Sequence, residues 1–472
     1  MSFSRRTFMA SAAGFAFAGY ARLARAQEDV DLDAPSYRNE VPGYGPLIAD
    51  PNRVFDLPEG FSYRVISQAG ETMDDAFLVP YKADGMGCIP LGGDRVALIR
   101  NHELSVPDVN YGPLGAGRRL PPQSLPKNLV YDWADDGSLI GGGTTTMIYD
   151  VRRQKLERQH LSLVGTVRNC AGGVTPWGSW LSCEETLMSA GVGVGKEHGW
   201  VFEVPASAKG LVDPRPIKAM GRFKHEAACV DPRTGVIYMT EDESSDQKGL
   251  FYRYLPNVPG RLHEGGRLQA LAFKDAPEGG DSRNHEEVVW RQGDWKEVFW
   301  VDLDGVENPD EDLRFRGHGK GGAWFARGEG VHFGDGELYF TCTSGGDAGC
   351  GQIMRYVPSP HEGQPGEKDA PGRLQLFVEP QDPKVLDYGD NLTVTPWGHL
   401  LICEDRYSDT DPNHLRGVTP DGKVYTFGRN VFRENAEMAG ACFSPDGSTL
   451  FVNIYWPGFT LAITGPWNRF QG

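Results

Sequence analysis

One hairpin-like pattern recurs along this chain, and the recurrence restricts the possible folds more than any other feature of the sequence. The stretch from Asn169 to Thr186 reads NCAGGVTPWGSWLSCEET, and the stretch from Gly389 to Arg406 reads GDNLTVTPWGHLLICEDR. Both contain V-T-P-W-G, an apolar run, and then a cysteine followed by two carboxylates. The second copy has Asp390 where the first has Cys170, so an acid and a thiol occupy the same place in two copies of one unit.

Four further stretches follow the pattern more loosely, and they begin at residues 84, 225, 328 and 439. Each of the six copies reads as two antiparallel strands around a P-x-G or D-G turn. Strand-like runs with alternating aromatic residues lie between the copies, and the 61 glycines and 33 prolines suit many short strands. We therefore predict an all-β fold, a β-propeller of about six blades, with helices only in loop insertions. A β-sandwich is the alternative.

The ends of these hairpins bring polar residues together. In an antiparallel hairpin the first strand begins beside the end of the second, so polar residues at both places become neighbours. If the hairpins are the inner strands of blades, all of these groups converge on one mouth of the central channel. The converging groups are Asp84, Asn101, Glu103, Cys170, Glu185, His225, Glu226, Glu241, Asp242, Arg327, Glu329, Asp390, Glu404 and Asp405.

So many carboxylates in one place indicate a metal site. Like charges at close range oppose ionisation, and multivalent cations relieve that repulsion. Oxygen ligands suit calcium, whereas a thiolate suits a metal such as iron or zinc. The single Cys170 among acids therefore predicts a mixed site at the mouth of the channel. The alternative is that the acids end their strands only because they face water, and that His102 and His225 are ordinary packing residues.

The N-terminus has the pattern of a twin-arginine export signal. Arg5 and Arg6 precede a short apolar segment that ends in Ala24-Arg25-Ala26, a small-x-small cleavage pattern. We predict a signal peptide over residues 1–26 and one propeller domain over 27–472, exported to the periplasm or secreted through the twin-arginine machinery. The segment is too short to span a membrane, so no stable membrane anchor is expected.

The net charge of −17 and the lack of a basic run argue against a nucleic-acid partner.

The chain resembles the PhoX family of bacterial alkaline phosphatases from about Asp50 to Trp467. The motifs that carry the resemblance are RNHE, NCAGGVTPWGSWLSCEE, KHEAA, TEDE, RGEGV, DNLTVTPWG and MAGACFSPDG. The resemblance implies a propeller with a cluster of ferric iron and calcium in its mouth, in which one cysteine thiolate bridges two irons. By its place in the N-C-x-G-G motif, Cys170 corresponds to that cysteine, and Glu185, Glu226 and Glu329 match metal-ligand positions.

The resemblance also implies roles in substrate binding. Arg327, two residues before Glu329, matches the phosphate-binding arginine, and Lys224 and Lys320 are the candidates by position for a second phosphate-contacting base. We predict substrate contacts from Arg327, Asn101 and His225, with Arg327 as the catalytic residue. The predicted metal ligands are Glu103, Cys170, Glu185, Glu226, Glu241, Glu329, Glu404 and Asp405.

The implied activity is hydrolysis of small phosphate monoesters by a secreted alkaline phosphatase, which we expect to be a monomer. Two alternatives remain open from the residues. One is a calcium-binding propeller without catalysis, which would need neither Cys170 nor Arg327. The other is a different metal-dependent propeller hydrolase, such as a lactonase with a single divalent cation, which would need fewer carboxylates and no thiolate.

Overall fold

The structure is a computed structural model, and it describes residues 33–117, 124–406, 408, 411–432 and 436–470. The predicted export signal at residues 1–26 lies outside these described residues. Strands make up 43% of the structure and helices 6%. Within the described part, we find no helix with the length and apolar character needed to cross a membrane.

The described residues form short strands joined by turns. In chain order the strands are β1 (Asp33–Ala34), β2 (Tyr37–Arg38), β3 (Leu47–Ile48), β4 (Phe55–Pro58), β5 (Ser62–Gln68), β6 (Ala83–Gly92), β7 (Arg95–His102), β8 (Gly142–Asp150), β9 (Lys155–Thr166), β10 (Asn169–Val174), β11 (Ser179–Glu184), β12 (Val201–Pro205), β13 (His225–Val230), β14 (Ile237–Glu241), β15 (Phe251–Pro256), β16 (Gly266–Phe273), β17 (Trp295–Asp302), β18 (Gly328–Phe333), β19 (Leu338–Cys342), β20 (Gln352–Val357), β21 (Arg373–Val378), β22 (Gly389–Val394), β23 (Leu400–Glu404), β24 (His414–Val418), β25 (Val424–Asn430), β26 (Met438–Phe443), β27 (Thr449–Ile454) and β28 (Phe459–Thr464). One α-helix, α1 (Leu313–Gly319), lies in the insertion between β17 and β18, as predicted for helices.

All six predicted hairpins are present, and each pairs two consecutive antiparallel strands. The pairs are β6–β7, β10–β11, β13–β14, β18–β19, β22–β23 and β26–β27. The predicted neighbours are also confirmed, since Asn169 pairs with Glu184, His225 with Glu241, and Gly389 with Glu404. The turn of each hairpin therefore lies at the end of the blade opposite to the acids.

The first strands of the six hairpins form a closed ring. Contacts run from β6 to β10, β13, β18, β22 and β26 in order, and β26 returns to β6. Further antiparallel strands extend outward from each hairpin. This is the propeller-like arrangement that the repeat predicted, and it confirms the fold class.

The prediction of about six blades needs a correction, because the hydrogen-bonded sheets are not six separate units. Sheets of three or more strands in the described residues contain three, four, four, six and nine strands. The nine-stranded sheet joins the third and fourth hairpins, since the outer strands β17 and β21 pair with each other. The N-terminal segment closes the ring, because β5 pairs with β28 and β4 pairs with β25.

Candidate metal centre and its rim

A β-bulge interrupts the first strand of every hairpin at the same place. The register shifts fall between Ala83 and Met86, Asn169 and Gly172, His225 and Ala228, Gly328 and Val331, Gly389 and Leu392, and Ala439 and Cys442. A bulge bends its strand and re-aims the unpaired side chain. In five hairpins the unpaired stretch carries a metal-ligand type of residue. We call these five the bulge ligands: Asp84, Cys170, Glu226, Glu329 and Asp390.

The bulge ligands meet inside the ring of first strands and are all buried. Ligand atoms of Cys170, Glu185 and Glu226 lie within 4.8 Å of one another, and so do those of Glu226, Glu329 and Asp390. Glu226 belongs to both groups and so links them into one cluster. Four of the five residues of this cluster are bulge ligands, and Glu185 is the fifth.

Burial and mutual repulsion set the electrostatics of the cluster. Burial, together with the charges of Asp84 and Glu226, raises the pKa of the Cys170 thiol well above its ordinary value. Burial raises the pKa of Glu185 to about 8 and that of Asp390 to about 8 as well, with like charges nearby contributing. The protein fold alone therefore works against ionising this cluster, whereas bound cations would favour the ionised ligands.

The carboxylate of Glu226 provides a direct test of whether these residues fit a metal. Both of its oxygens are fully buried, and neither has a hydrogen-bond partner among the described residues. A buried polar group without a partner costs about 1–3 kcal/mol, and a charged one costs more. A cation beside Glu226 would remove that cost, and the mixed set of one thiol and several carboxylates can hold a softer and a harder metal side by side.

Further acids extend the cluster on one side with oxygen atoms only. Burial raises the pKa of Glu437 well above its usual range, and the charges of Asp405 and Asp84 add to the shift. Burial likewise raises the pKa of Asp84, with the charges of Glu103 and Asp390 contributing. These two acids and Asp390 were not in our predicted ligand set, although Asp84 and Asp390 occupy the place of Cys170 in their own hairpins. Glu437 was not predicted either, although it directly precedes the first strand of the sixth hairpin, as Arg327 does in the fourth.

Six residues directly precede the first strands, and we call them the rim residues: Lys82, Arg168, Lys224, Arg327, Tyr388 and Glu437. In four of them the backbone φ lies between 48° and 51°, the left-handed region that residues with a side chain seldom adopt. Such backbone conformations cost about 1–3 kcal/mol each and cluster at functional sites. The same strain at four equivalent positions indicates that the fold uses it to aim these side chains.

Two rim arginines bind carboxylates of the cluster from different hairpins. Arg327 donates two hydrogen bonds to Asp242, at 2.9 and 2.7 Å, and one to Glu329 at 3.2 Å. Arg168 forms ion pairs with Glu103 at 2.7 Å and with Glu185. We did not predict Arg168 or Asp242 as site residues. The signal for Arg168 was available, because it stands two residues before Cys170 just as Arg327 stands two before Glu329.

Two predicted metal ligands, Glu241 and Glu404, have protein partners in their own blades. Glu241 accepts hydrogen bonds from the backbone N–H of Leu250 at 2.9 Å and from the hydroxyl of Tyr252 at 2.8 Å. Glu404 pairs with Arg416 at 2.6 Å and with His414 at 2.9 Å. Both acids are the first of their carboxylate pair, and each braces its hairpin against the next strand of the same blade. The second acid of such a pair contacts a rim residue instead, as Asp242 does with Arg327.

Asn101 and His225, for which we predicted substrate contacts, both make contacts within the fold. The Asn101 amide donates to the carbonyls of Cys170 at 3.1 Å and Ala171 at 2.7 Å, so it supports the bulge of the next hairpin. His225 is buried, contacts the carbonyl of Gly221 at 2.9 Å, and stacks on Phe223.

Equivalent side chains support three more bulges. Thr240 donates to the Glu329 carbonyl, Thr341 to the Asp390 carbonyl, and Asn453 to the Asp84 carbonyl. Each donor stands one residue before the end of its second strand, as Asn101 does in β7. Four bulge ligands are thus fixed through their backbone by the neighbouring hairpin.

The two candidate lysines differ in position. Lys224 is a rim residue and donates to Glu243 at 2.9 Å. Lys320 follows α1 and pairs with Asp304 at 3.0 Å on the exposed insertion. Only Lys224 therefore lies on the ring that surrounds the cluster.

One protein-family model matches most of the chain. The model of a protein family described as "Alkaline phosphatase PhoX" matches residues 42–158 and 143–458. No curated protein matches the chain.

Solved structures with a similar course of the chain share little sequence with it. A luciferin-regenerating enzyme is 10% identical with a TM-score of 0.41, over 86% of this chain and 96% of its own. The Cps50 (Swd1) β-propeller domain of Myceliophteria thermophila is 10% identical with a TM-score of 0.40, over 86% of this chain and 100% of its own. A chain of a nidogen/laminin complex is 9% identical with a TM-score of 0.35, over 78% and 93%.

Proposed function

The chain belongs to the PhoX family of alkaline phosphatases, and from that premise we propose that its channel mouth hydrolyses small phosphate monoesters outside the cytoplasm with the help of iron and calcium. The observation that carries the proposal is the buried cluster around Glu226, whose carboxylate has no protein partner, beneath the two rim arginines. A binding propeller that holds only calcium would need neither the thiol of Cys170 nor a pair of guanidinium groups.

The chemistry of the ligands suggests how two kinds of metal would be divided. Cys170, Glu185 and Glu226 would hold iron, because a thiolate prefers the softer or more highly charged metal. Asp84, Asp390, Asp405 and Glu437 offer oxygen atoms only and would hold calcium. When bound, such cations polarise the phosphoryl oxygens and lower the pKa of an attacking water.

The residues of the chain bind and orient the phosphate. Arg327 and Arg168 carry planar guanidinium groups that match phosphate oxygens, and each is oriented by an ion pair with an acid of the cluster, Glu329 or Glu185. They neutralise the charge that grows on the phosphoryl oxygens in the transition state. Lys82 and Lys224 add positive charge to the same ring of rim residues and favour the approach of anionic esters.

The test is the substitution Cys170→Ala, with metal content, visible absorption and phosphatase activity measured on the same sample. We expect iron, any thiolate-to-iron absorption band and activity to disappear together. The matched control is Cys183→Ala, which removes a buried cysteine from β11 of the same hairpin without touching the cluster. That variant should keep its iron and its activity. An active Cys170→Ala protein with its full iron content would refute the proposed site.

A further inference from the structure

Three aromatic side chains lie together on the same face of the propeller as the cluster. Tyr81 precedes the rim residue Lys82, Tyr111 belongs to the long connection between β7 and β8, and Trp456 belongs to the turn between β27 and β28. Connections from second to third strands leave the hairpins at the end that carries the acids. The three rings, which we call the aromatic corner, are therefore set at the mouth by the topology of the chain.

The aromatic corner has a defined shape. Tyr81 and Trp456 have their ring centroids 5.1 Å apart with an interplanar angle of 34°. Tyr111 stands across both, at 5.2 Å from Tyr81 and at 5.4 Å and 84° from Trp456. The backbone N–H of Tyr81 donates to the carbonyl of Tyr111 at 2.9 Å and fixes the two segments together. Tyr111 is 39% exposed, and the other two side chains are partly exposed, so the corner offers ring surface to a ligand.

Charged groups connect the aromatic corner to the rim residues Arg168 and Lys82. Trp456 follows Tyr455, whose hydroxyl donates to Glu103, and Glu103 pairs with Arg168 at 2.7 Å. On the other side, Lys82 donates to Asp108 at 2.8 Å, three residues before Tyr111. A phosphate held by Arg168 together with Arg327 would therefore have its ester group directed along a wall that contains aromatic rings.

We propose that the aromatic corner binds the leaving group of the substrate and selects phosphate esters whose leaving group carries a flat aromatic ring, such as a nucleoside or a phenol. This inference rests on the proposed phosphatase function. Two rings tilted by 34° with a third set across them present ring faces and edges on which a flat aromatic group can stack. An aliphatic leaving group such as glycerol gains little from the same surface.

The experiment compares the metal-loaded wild-type protein with Trp456→Ala on adenosine 5′-monophosphate, phenyl phosphate and glycerol phosphate. We expect kcat/KM to fall about tenfold for the two aromatic esters, the range typical of one lost stacking contact, and less than twofold for glycerol phosphate. Loss for the nucleotide alone would mean that a nucleoside, rather than any aryl group, is the preferred occupant. Equal losses on all three esters, or no loss on any, would overturn the proposal.

Two controls keep the test decisive. Tyr111→Ala should repeat the selective loss if Trp456→Ala does not fold, whereas Tyr111→Phe should keep the aromatic preference because it retains the ring. Trp295→Ala removes an exposed tryptophan from the outer strand β17 and should change nothing. If the wild type hydrolyses none of the esters, the phosphatase function fails. Calorimetric binding of adenosine monophosphate against ribose 5-phosphate then tests the corner by itself, and equal affinity for both would overturn it.

Discussion

Arg327 and Arg168 show how single residues adapt this site to phosphate. Each has a left-handed backbone, each stands two residues before a bulge ligand, and each pairs with acids from the end of a second strand. Those ion pairs compensate for the strain in the backbone and hold both guanidinium groups at the edge of the cluster. The two arginines therefore act as positioned donors rather than as flexible surface charges.

Replacement of Arg327 tests this reading. Arg327→Lys keeps a positive charge but loses the two-pronged fork, so the metals should stay while kcat/KM for a phosphate ester falls about a hundredfold, the usual effect of losing one positioned donor. Product inhibition by inorganic phosphate should weaken in parallel. The measurements are steady-state kinetics, phosphate inhibition and metal analysis. Lys320→Ala serves as the control, since Lys320 pairs with Asp304 on the exposed insertion rather than with an acid of the cluster. Unchanged phosphate inhibition in Arg327→Lys would contradict the role.

The β-bulge is the element that turns an ordinary hairpin into part of a site. It leaves the ligand residue unpaired, and in the fourth hairpin it brings the backbone close to the next first strand, where the following residue is Gly330. A Cβ added at Gly330 would lie 2.6 Å from the backbone nitrogen of Leu392 and 2.9 Å from the carbonyl oxygen of Asp390. Gly330 thus allows Glu329 and Asp390 to approach each other within the cluster.

Gly330→Ala should consequently damage stability and metal binding together. We expect a loss of about 1–3 kcal/mol in the free energy of unfolding, as for other overpacked sites, and a lower metal content, because Glu329 and Asp390 must move apart. Denaturant unfolding and elemental analysis check both parts. Gly210→Ala is the control, since a Cβ there meets no atom within 4 Å. A folded Gly330→Ala protein with normal metal content would show that the close approach is unimportant.

Much of this element could be predicted from the sequence, because turn residues and the alternation of apolar and polar residues along a strand are local patterns. The hairpins, their register and the gathering of acids at one end all follow from the repeated P-x-G or D-G turn. The sequence could not show which acid of a neighbouring pair faces the channel mouth. In the pair Glu404-Asp405, for example, only the structure shows that Glu404 forms an ion pair with Arg416 inside the blade. The bulges and the pairing of β17 with β21 depend on contacts between segments that are distant in sequence, which leave no local pattern.

In the whole molecule, the ring of first strands brings ligands from five hairpins to one point. A cation bound there connects parts of the chain that are far apart in sequence, from Asp84 to Asp390. Ligands that bind only the folded state stabilise it by mass action, by about 4 kcal/mol at a thousandfold excess over the dissociation constant. The same acids repel one another when no cation neutralises them. The cluster should therefore stabilise the metal-loaded propeller and destabilise the metal-free one.

Glu226→Gln separates these two effects, because it removes one charge from the centre of the cluster and keeps nearly the same shape. Burial, with the charges of Glu329 and Asp390 contributing, raises the pKa of Glu226 well above its usual value. Folding without metal at pH 8 therefore either buries a charge or takes up a proton at Glu226, and Gln avoids both costs. In a chelator at pH 8 the variant should consequently unfold at a temperature about 2 °C or more above the wild type. With metals present the order should reverse, because a ligand is lost. Glu404→Gln is the matched control: it weakens the ion pair with Arg416 and should lower the unfolding temperature in both conditions. The measurement is thermal unfolding of the three proteins with and without chelator. A Glu226→Gln protein that is less stable than the wild type in both conditions would mean that Glu226 supports the fold rather than a metal.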